Sequence, residues 1–270
     1  MKHILRRYLP VCIAALALIT LAACNKQDAK PAADASATAE KHAAYLVGVE
    51  SAYAPFSAEN ENKEVVGFDI DVMKAIANKI GIDVKFIPTP FEGFFNFLAQ
   101  GDRDLLISAI TITDERKQTV DFSEPYFEAS QLIAVPADDT KIQKLDDLKN
   151  MKIAVQSATT GDEVIQNLVG KNNPNIKRFD STPLALKELE AGGVEAVVAD
   201  DAVVKNYITN NPSARLRVVS DAGFPKEYYG IAVRKGNTEL LTQINKGLDE
   251  IKADGTFAKI SEKYFGAANK

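Results

Sequence analysis

Residues 152–210 read KIAVQSATTGDEVIQNLVGKNNPNIKRFDSTPLALKELEAGGVEAVVADDAVVKNYITN, and two periodicities alternate along them. Lys152 to Val155, Ile176 to Phe179 and Glu195 to Ala199 are short runs rich in apolar and β-branched residues, which predicts strands. Thr160 to Val169, Pro183 to Ala191 and Asp201 to Asn210 carry apolar residues at helical spacing. Thr182-Pro183 predicts an N-cap followed by proline at the first helical position, and Gly192 marks the stop. Strands and helices in this order predict an α/β fold with mainly parallel pairing through right-handed crossovers.

The same alternation is present upstream. Tyr45 to Val49 reads as a strand, and Gly67 to Gly81 as a helix with Ile70, Met73, Ile76, Ala77 and Ile80 on one face and Gly81 as its stop. Asp83 to Ile87 predicts a strand, Phe91 to Gln100 a helix and Leu105 to Ile107 a strand. Downstream, Leu240, Leu241, Ile244, Leu248 and Ile251 predict a long closing helix that ends at Gly255. Roughly 225 ordered residues suit two cores better than one, so two lobes are expected. Ligands of such sheets sit at the carboxyl ends of the strands, here in a cleft between the lobes. Neither G-x-G-x-x-G nor G-x-x-x-x-G-K-[ST] occurs, and Gly192-Gly193 follows a helix and precedes a strand, the wrong context for a phosphate loop.

Of 270 residues, 46% are hydrophobic and 26% charged, ordinary for a globular protein, but the two cysteines and two histidines all fall within the first 42 positions. The remainder therefore cannot support Ser-His-Asp or Cys-His catalysis, thiolate or imidazole metal sites, haem-His ligation or iron-sulfur clusters. Chemistry there is confined to carboxylates, Lys, Tyr, Ser, Thr and backbone groups, with no cofactor or metal implied. Lys2, Arg6 and Arg7 precede an apolar stretch from Tyr8 to Leu21, followed by Leu21-Ala22-Ala23-Cys24. This resembles a bacterial lipoprotein lipobox, which implies a signal peptide over residues 1–23 and a diacylglycerol-bearing Cys24 as the first mature residue, anchored in a membrane. Residues 24–43 then read as the lipidated cysteine and a disordered tether, with His42 a solvated linker residue. Losing the three basic residues of the leader from 32 leaves 29 Lys and Arg against 37 Asp and Glu, a mature charge of −8. An acidic exported domain without a basic patch is a poor partner for nucleic acid.

Ala109 to Ser123, AITITDERKQTVDFS, is followed by Glu-Pro-Tyr-Phe. Together with Ala54-Pro55-Phe56, Gly67 to Asp71, Val155 to Gly161, Ala199-Asp200, Tyr228 to Gly230 and Asp254 to Thr256, this resembles solute-binding protein family 3, the amino-acid-binding proteins of ABC importers. The resemblance spans Tyr45 to Phe265. It implies a type II periplasmic binding protein fold, with residues 44–131 plus 228–270 as lobe 1 and 132–227 as lobe 2. Hinge strands are expected near Gln131 to Val135 and Tyr229 to Val233. It further implies a non-enzymatic role, in the periplasm or at the cell surface, delivering an amino acid to ABC permease subunits.

Arg116 follows Thr113, which can cap a short helix from Asp114, and a guanidinium grips a carboxylate bidentately. By resemblance Arg116 holds the ligand α-carboxylate, assisted by backbone N–H groups and hydroxyls of Thr111 and Thr160, the latter at a helix N-terminus. Asp200 matches the acceptor of the α-ammonium, although neighbouring Asp201 is an alternative. Tyr53 and Phe91 match the aromatic positions that sandwich the ligand side chain, and Ser108, Ala109, Gln156 and Thr159 complete the expected binding set. Phe94, Phe95 and Leu98 have core spacing instead. Glu50, at the end of the first strand, would be an unpaired acid in the closed cleft unless the ligand side chain were cationic. Glu50 with Gln156-Ser157-Ala158-Thr159-Thr160 looks like the arginine-binding members, so arginine is expected, with lysine, histidine or ornithine tolerated. Glutamine or another polar amino acid is the alternative, although glutamine binders typically carry Lys where Gln156 stands. Alternatives of other classes are an exported dehydratase using Glu50 as proton donor and a ligand-sensing lipoprotein.

Overall fold

The computed structural model describes residues 44–266. The leader, Cys24 and the tether lie outside the described residues. The chain begins with β1 (Tyr45–Val49) and a small antiparallel meander, β2 (Ala52–Tyr53), β3 (Ser57–Glu59) and β4 (Val65–Val66). Then come α1 (Phe68–Ile80), β5 (Val84–Pro88), α2 (Phe94–Gln100), β6 (Leu105–Leu106), β7 (Val120–Phe122), β8 (Phe127–Ala129) and β9 (Gln131–Pro136). A second series follows: β10 (Ile153–Gln156), α3 (Thr160–Val169), β11 (Ile176–Phe179), α4 (Thr182–Glu190), β12 (Ala196–Asp200), α5 (Asp201–Asn210) and β13 (Leu216–Val219). The chain returns through β14 (Glu227–Tyr229) and β15 (Ala232–Arg234) and closes with α6 (Thr238–Ala253) and α7 (Thr256–Phe265).

Two five-stranded sheets result, ordered β5-β1-β6-β15-β7 and β11-β10-β12-β9-β13. The helix-connected strands pair in parallel, β1 with β5 and β6, and β10 with β11 and β12. In each sheet one strand runs against these, β15 between β6 and β7 in the first and β9 between β12 and β13 in the second, pairing antiparallel on both sides. In the second sheet Ile133, Val135, Ile153, Val155 and Val198 enter one buried cluster with Ile165 of α3. Ala134, Ala154, Val197 and Ala199 join Ala185 and Leu186 of α4 in another. This period-2 division explains the near-continuous apolar strands, since both faces of the sheet are covered. The first lobe buries aromatic rings instead: Phe56 meets Phe127 at 5.1 Å and Tyr229 at 5.3 Å, edge to face. Helix α6 crosses α1 so closely that a Cβ on Gly247 would stand 2.9 Å from the methyls of Ile76 and Ile80.

Four details differ from the sequence reading. The antiparallel pair that stands apart from both sheets is β8 with β14, not Gln131 to Val135 with Tyr229 to Val233. Gln131 to Val135 is buried throughout and lies between β12 and β13, as an apolar run covered on two faces must. Thr182 is the first helical residue of α4 rather than its cap, because its amide and hydroxyl are drawn to Gln156. Gly255, in the left-handed region at φ 79°, turns the chain from α6 into a further helix, α7, rather than ending the helical region. Phe91 precedes α2, which starts only at Phe94.

Candidate functional site

Both parallel triplets of strands aim their carboxyl ends at one cleft. Glu50 follows β1, Ser108 to Thr111 follow β6, Gln156 to Thr160 link β10 to α3, and Asp200 ends β12. The cleft is narrow and is lined by Glu50, Tyr53, Phe91, Ser108, Ala109, Thr111, Arg116, Thr159, Thr160 and Asp200. Gln156 stands behind Glu50. The residues singled out in the sequence are thus brought together, with Gln156 one layer back.

On the first-lobe wall, the Glu50 amide donates to Ser108 Oγ at 3.1 Å, and Ser108 Oγ lies 3.0 Å from Ser57 Oγ. Ala109, at φ 47°, donates its N–H to Asp69 Oδ2 at 2.6 Å, and the Tyr126 hydroxyl donates to the other oxygen at 2.9 Å. Burial pushes Asp69 up to about 7 against these two donors. Arg116 opens a short 3₁₀ turn whose first amide is capped by Thr113 Oγ1 at 3.1 Å. Its guanidinium donates to the carbonyls of Thr111 at 2.9 Å and Ala158 at 3.2 Å, and lies 5.6 and 5.4 Å from the rings of Phe91 and Phe95. Burial pulls its pKa below the usual value. The described hydrogen bonds of this buried guanidinium end on carbonyls, with no carboxylate among them, although Glu163, Glu227 and Asp200 stand near enough to act on its charge.

On the second-lobe wall, Thr159 Oγ1 caps α3 by accepting the Asp162 amide at 3.2 Å. A Cβ on Gly161 would stand 3.0 Å from both Gln131 Oε1 and the Val198 carbonyl, so only glycine lets α3 approach this closely. Gln156 Oε1 accepts the amide and hydroxyl of Thr182, at 3.1 and 2.9 Å, which fixes the amide and turns Nε2 onto Glu50 Oε1 at 2.9 Å. Asp200, not Asp201, faces inward: Asp200 is 4% exposed, whereas Asp201 pairs with Lys205 at 2.6 Å. Asp200 accepts from the hydroxyl of Tyr229 and from Gln131 Nε2, the latter at 2.5 Å, and lines the cleft with Tyr53. Burial, then the neighbouring Glu227, pushes Asp200 up to about 6 against these donors. Burial likewise pushes Glu50 up to about 7, with Gln156 opposing and Asp200 adding to the rise.

Glu227 and Gln131 are site residues the sequence reading missed. Glu227 Oε2 accepts from the hydroxyls of Thr111 and Thr160 at 2.7 and 2.9 Å, so these hydroxyl protons do not point into the cleft as expected. Glu227 turns inward by strand alternation with Tyr229, two residues on, whose hydroxyl reaches Asp200. Among the described residues no group of three or more His, Cys, Asp or Glu side chains is arranged to hold a metal ion.

A family model described as bacterial extracellular solute-binding proteins, family 3, matches residues 45–267. A probable histidine-binding protein of Neisseria gonorrhoeae is 40% identical over 262 residues, 97% of this chain and 96% of the relative. The arginine-, lysine-, histidine-binding protein ArtJ of Geobacillus stearothermophilus superposes with a TM-score of 0.81 at 40% identity, covering 84% of this chain and 97% of that one. An ancestral arginine-binding protein bound to glutamine gives a TM-score of 0.78 at 46% identity, covering 83% and 98%. With a match that runs across both sheets, the chain belongs to the bacterial extracellular solute-binding proteins, family 3.

Proposed function

We infer that the cleft binds a basic L-amino acid, arginine foremost, and that the loaded protein delivers it to an ABC permease without chemical change. The observation that carries this reading is Glu50: a carboxylate 6% exposed, in a cleft whose Arg116 and Asp200 already answer the two charges of an amino-acid backbone. A neutral side chain would leave that acid buried and unpaired, at a cost of several kcal/mol in principle. A guanidinium would neutralise it and could stack against Tyr53 and Phe91. Arg116 takes the α-carboxylate together with the backbone N–H groups of Thr111 and Thr160, and Asp200 takes the α-ammonium. Residues 44–131 with 228–270 and residues 132–227 act as lobes that move about β8 and β14, ligand favouring the closed form. Leu21-Ala22-Ala23-Cys24 supports attachment through a lipidated Cys24 at the periplasmic or outer surface of a membrane.

Titration calorimetry of the full chain in detergent against the twenty amino acids tests the reading. Arginine is expected to bind most tightly, with lysine and histidine weaker; absence of heat with all twenty overturns it. Glutamine is the second reading, favoured by the glutamine-bound structure of the similar ancestral protein. Cys24→Ser is expected to move the chain from the membrane to the soluble fraction, and unchanged fractionation overturns the anchor.

A further inference from the structure

Glu227 opens β14, one of the two crossing strands, and belongs to neither large sheet, yet it is only 6% exposed. Side chains alternate along the strand, so Glu227 and Tyr229 turn inward while Tyr228, 43% exposed, turns to solvent. One carboxylate oxygen accepts from Thr111 on the first-lobe wall and Thr160 on the second, and the other accepts from Gln131 Nε2 at 3.2 Å. Through these contacts Glu227 joins both walls at the present separation of the lobes.

A hydroxyl carries a single proton, so Thr111 and Thr160, having donated theirs to Glu227, have only lone pairs and backbone N–H groups to offer the cleft. For Thr111 the backbone geometry agrees. In its bridge to Tyr229 the ladder bonds run from the Ile112 amide to the Tyr228 carbonyl at 2.8 Å and from the Gly230 amide to the Ile110 carbonyl at 3.0 Å. Thr111 therefore keeps its own N–H out of the ladder, and its carbonyl goes to Arg116. Thr160 is the first residue of α3, where an N–H has no intrahelical partner.

We propose that Glu227 is a positioning residue for the ligand site: from the crossing strand it takes the hydroxyl protons of Thr111 and Thr160, holding the two walls in the closed arrangement with their backbone amides free for an anion. This rests on the amino-acid reading above, because the anion served is the ligand α-carboxylate. Glu227→Gln keeps the shape but replaces one acceptor oxygen by a donor. L-Arginine is expected to bind this variant at least about tenfold more weakly, through faster dissociation, with the association rate within about twofold of wild type. Thr111→Val, made from the other end of the same bond, should lose a comparable factor, and the double variant no more than the larger single loss. A purely structural role would lower thermal stability without this selective change in dissociation. Unchanged dissociation in Glu227→Gln, or fully additive losses, overturns the proposal, and Thr111→Val alone carries the test if Glu227→Gln does not fold.

Hydrogen exchange of the ligand-free full chain provides an arm independent of the ligand. Amides in residues 109–113 and 158–163 are expected to exchange faster in Glu227→Gln while those of β1 and β12 keep their protection. Unchanged exchange in those two segments overturns the role of Glu227. A wild-type chain that binds none of the twenty amino acids overturns the ligand reading instead, and exchange then decides Glu227 by itself.

Discussion

Glu50 and Asp200 occupy corresponding places, each at the carboxyl end of a parallel strand and each buried, but the chain supports them differently. Asp200 receives both Tyr229 and Gln131, so two side-chain donors fix its orientation. Glu50 receives one side-chain donor, Gln156 Nε2, which is itself aimed by Thr182. Burial lifts both acids, Asp200 to about 6 with Glu227 adding to the rise, and Glu50 to about 7. In the ligand reading proposed above, the well-supported acid serves the ammonium that every amino acid carries, and the acid left short selects the side chain. A site built this way separates general capture from specificity.

Breaking the well-supported side should have the largest effect. Asp200→Asn removes the charge opposite the α-ammonium and presents an amide N–H₂ to groups already donating. Binding of every amino acid is expected to fall by about 4 kcal/mol, roughly a thousandfold, in calorimetry. A loss restricted to basic ligands would reverse the assignment of the two acids. Glu50→Gln should act more narrowly, weakening arginine by about 3 kcal/mol, roughly a hundredfold, while leaving glutamine within about threefold. Equal losses for the two ligands would remove Glu50 as the specificity residue.

The same contrast marks what could be read in the sequence. Glu50 was legible as a charged residue at the end of an apolar strand, where α/β folds place their ligands, whereas Asp200 was singled out by the family resemblance, with Asp201 left open. The strands of the second sheet were legible because both faces are buried, which leaves continuous apolar runs. Glu227 was not legible: in Lys226-Glu227-Tyr228-Tyr229 it reads as a solvated charge, and only the pairing of β14 with β8 turns it inward. Gln131 to Val135, expected as a hinge strand, has strand composition, but only its register shows that it belongs to the second sheet. Helix α7 was hidden by Gly255, because a left-handed glycine ends one helix or turns into the next with the same local signal.

The smallest expected effect, and the sharpest test of the comparison, is in pH. Both acids have folded-state values above those of free carboxyl groups, so in the empty site each takes up a proton as pH falls, Glu50 first near 7 and Asp200 near 6. A ligand cation binds the ionised form, and ammonium and guanidinium both remain charged throughout this range. Affinity must therefore fall with falling pH, by at most about tenfold per unit for each acid involved. Arginine, which uses both acids, is expected to weaken from just above pH 7 downward, and glutamine only from just above pH 6. Glu50→Gln should move the arginine profile onto that of glutamine. Calorimetric titrations at half-unit steps from pH 5 to 8 decide it. Superimposable wild-type profiles for the two ligands would mean that Glu50 does not meet the ligand's charge, however deeply it is buried.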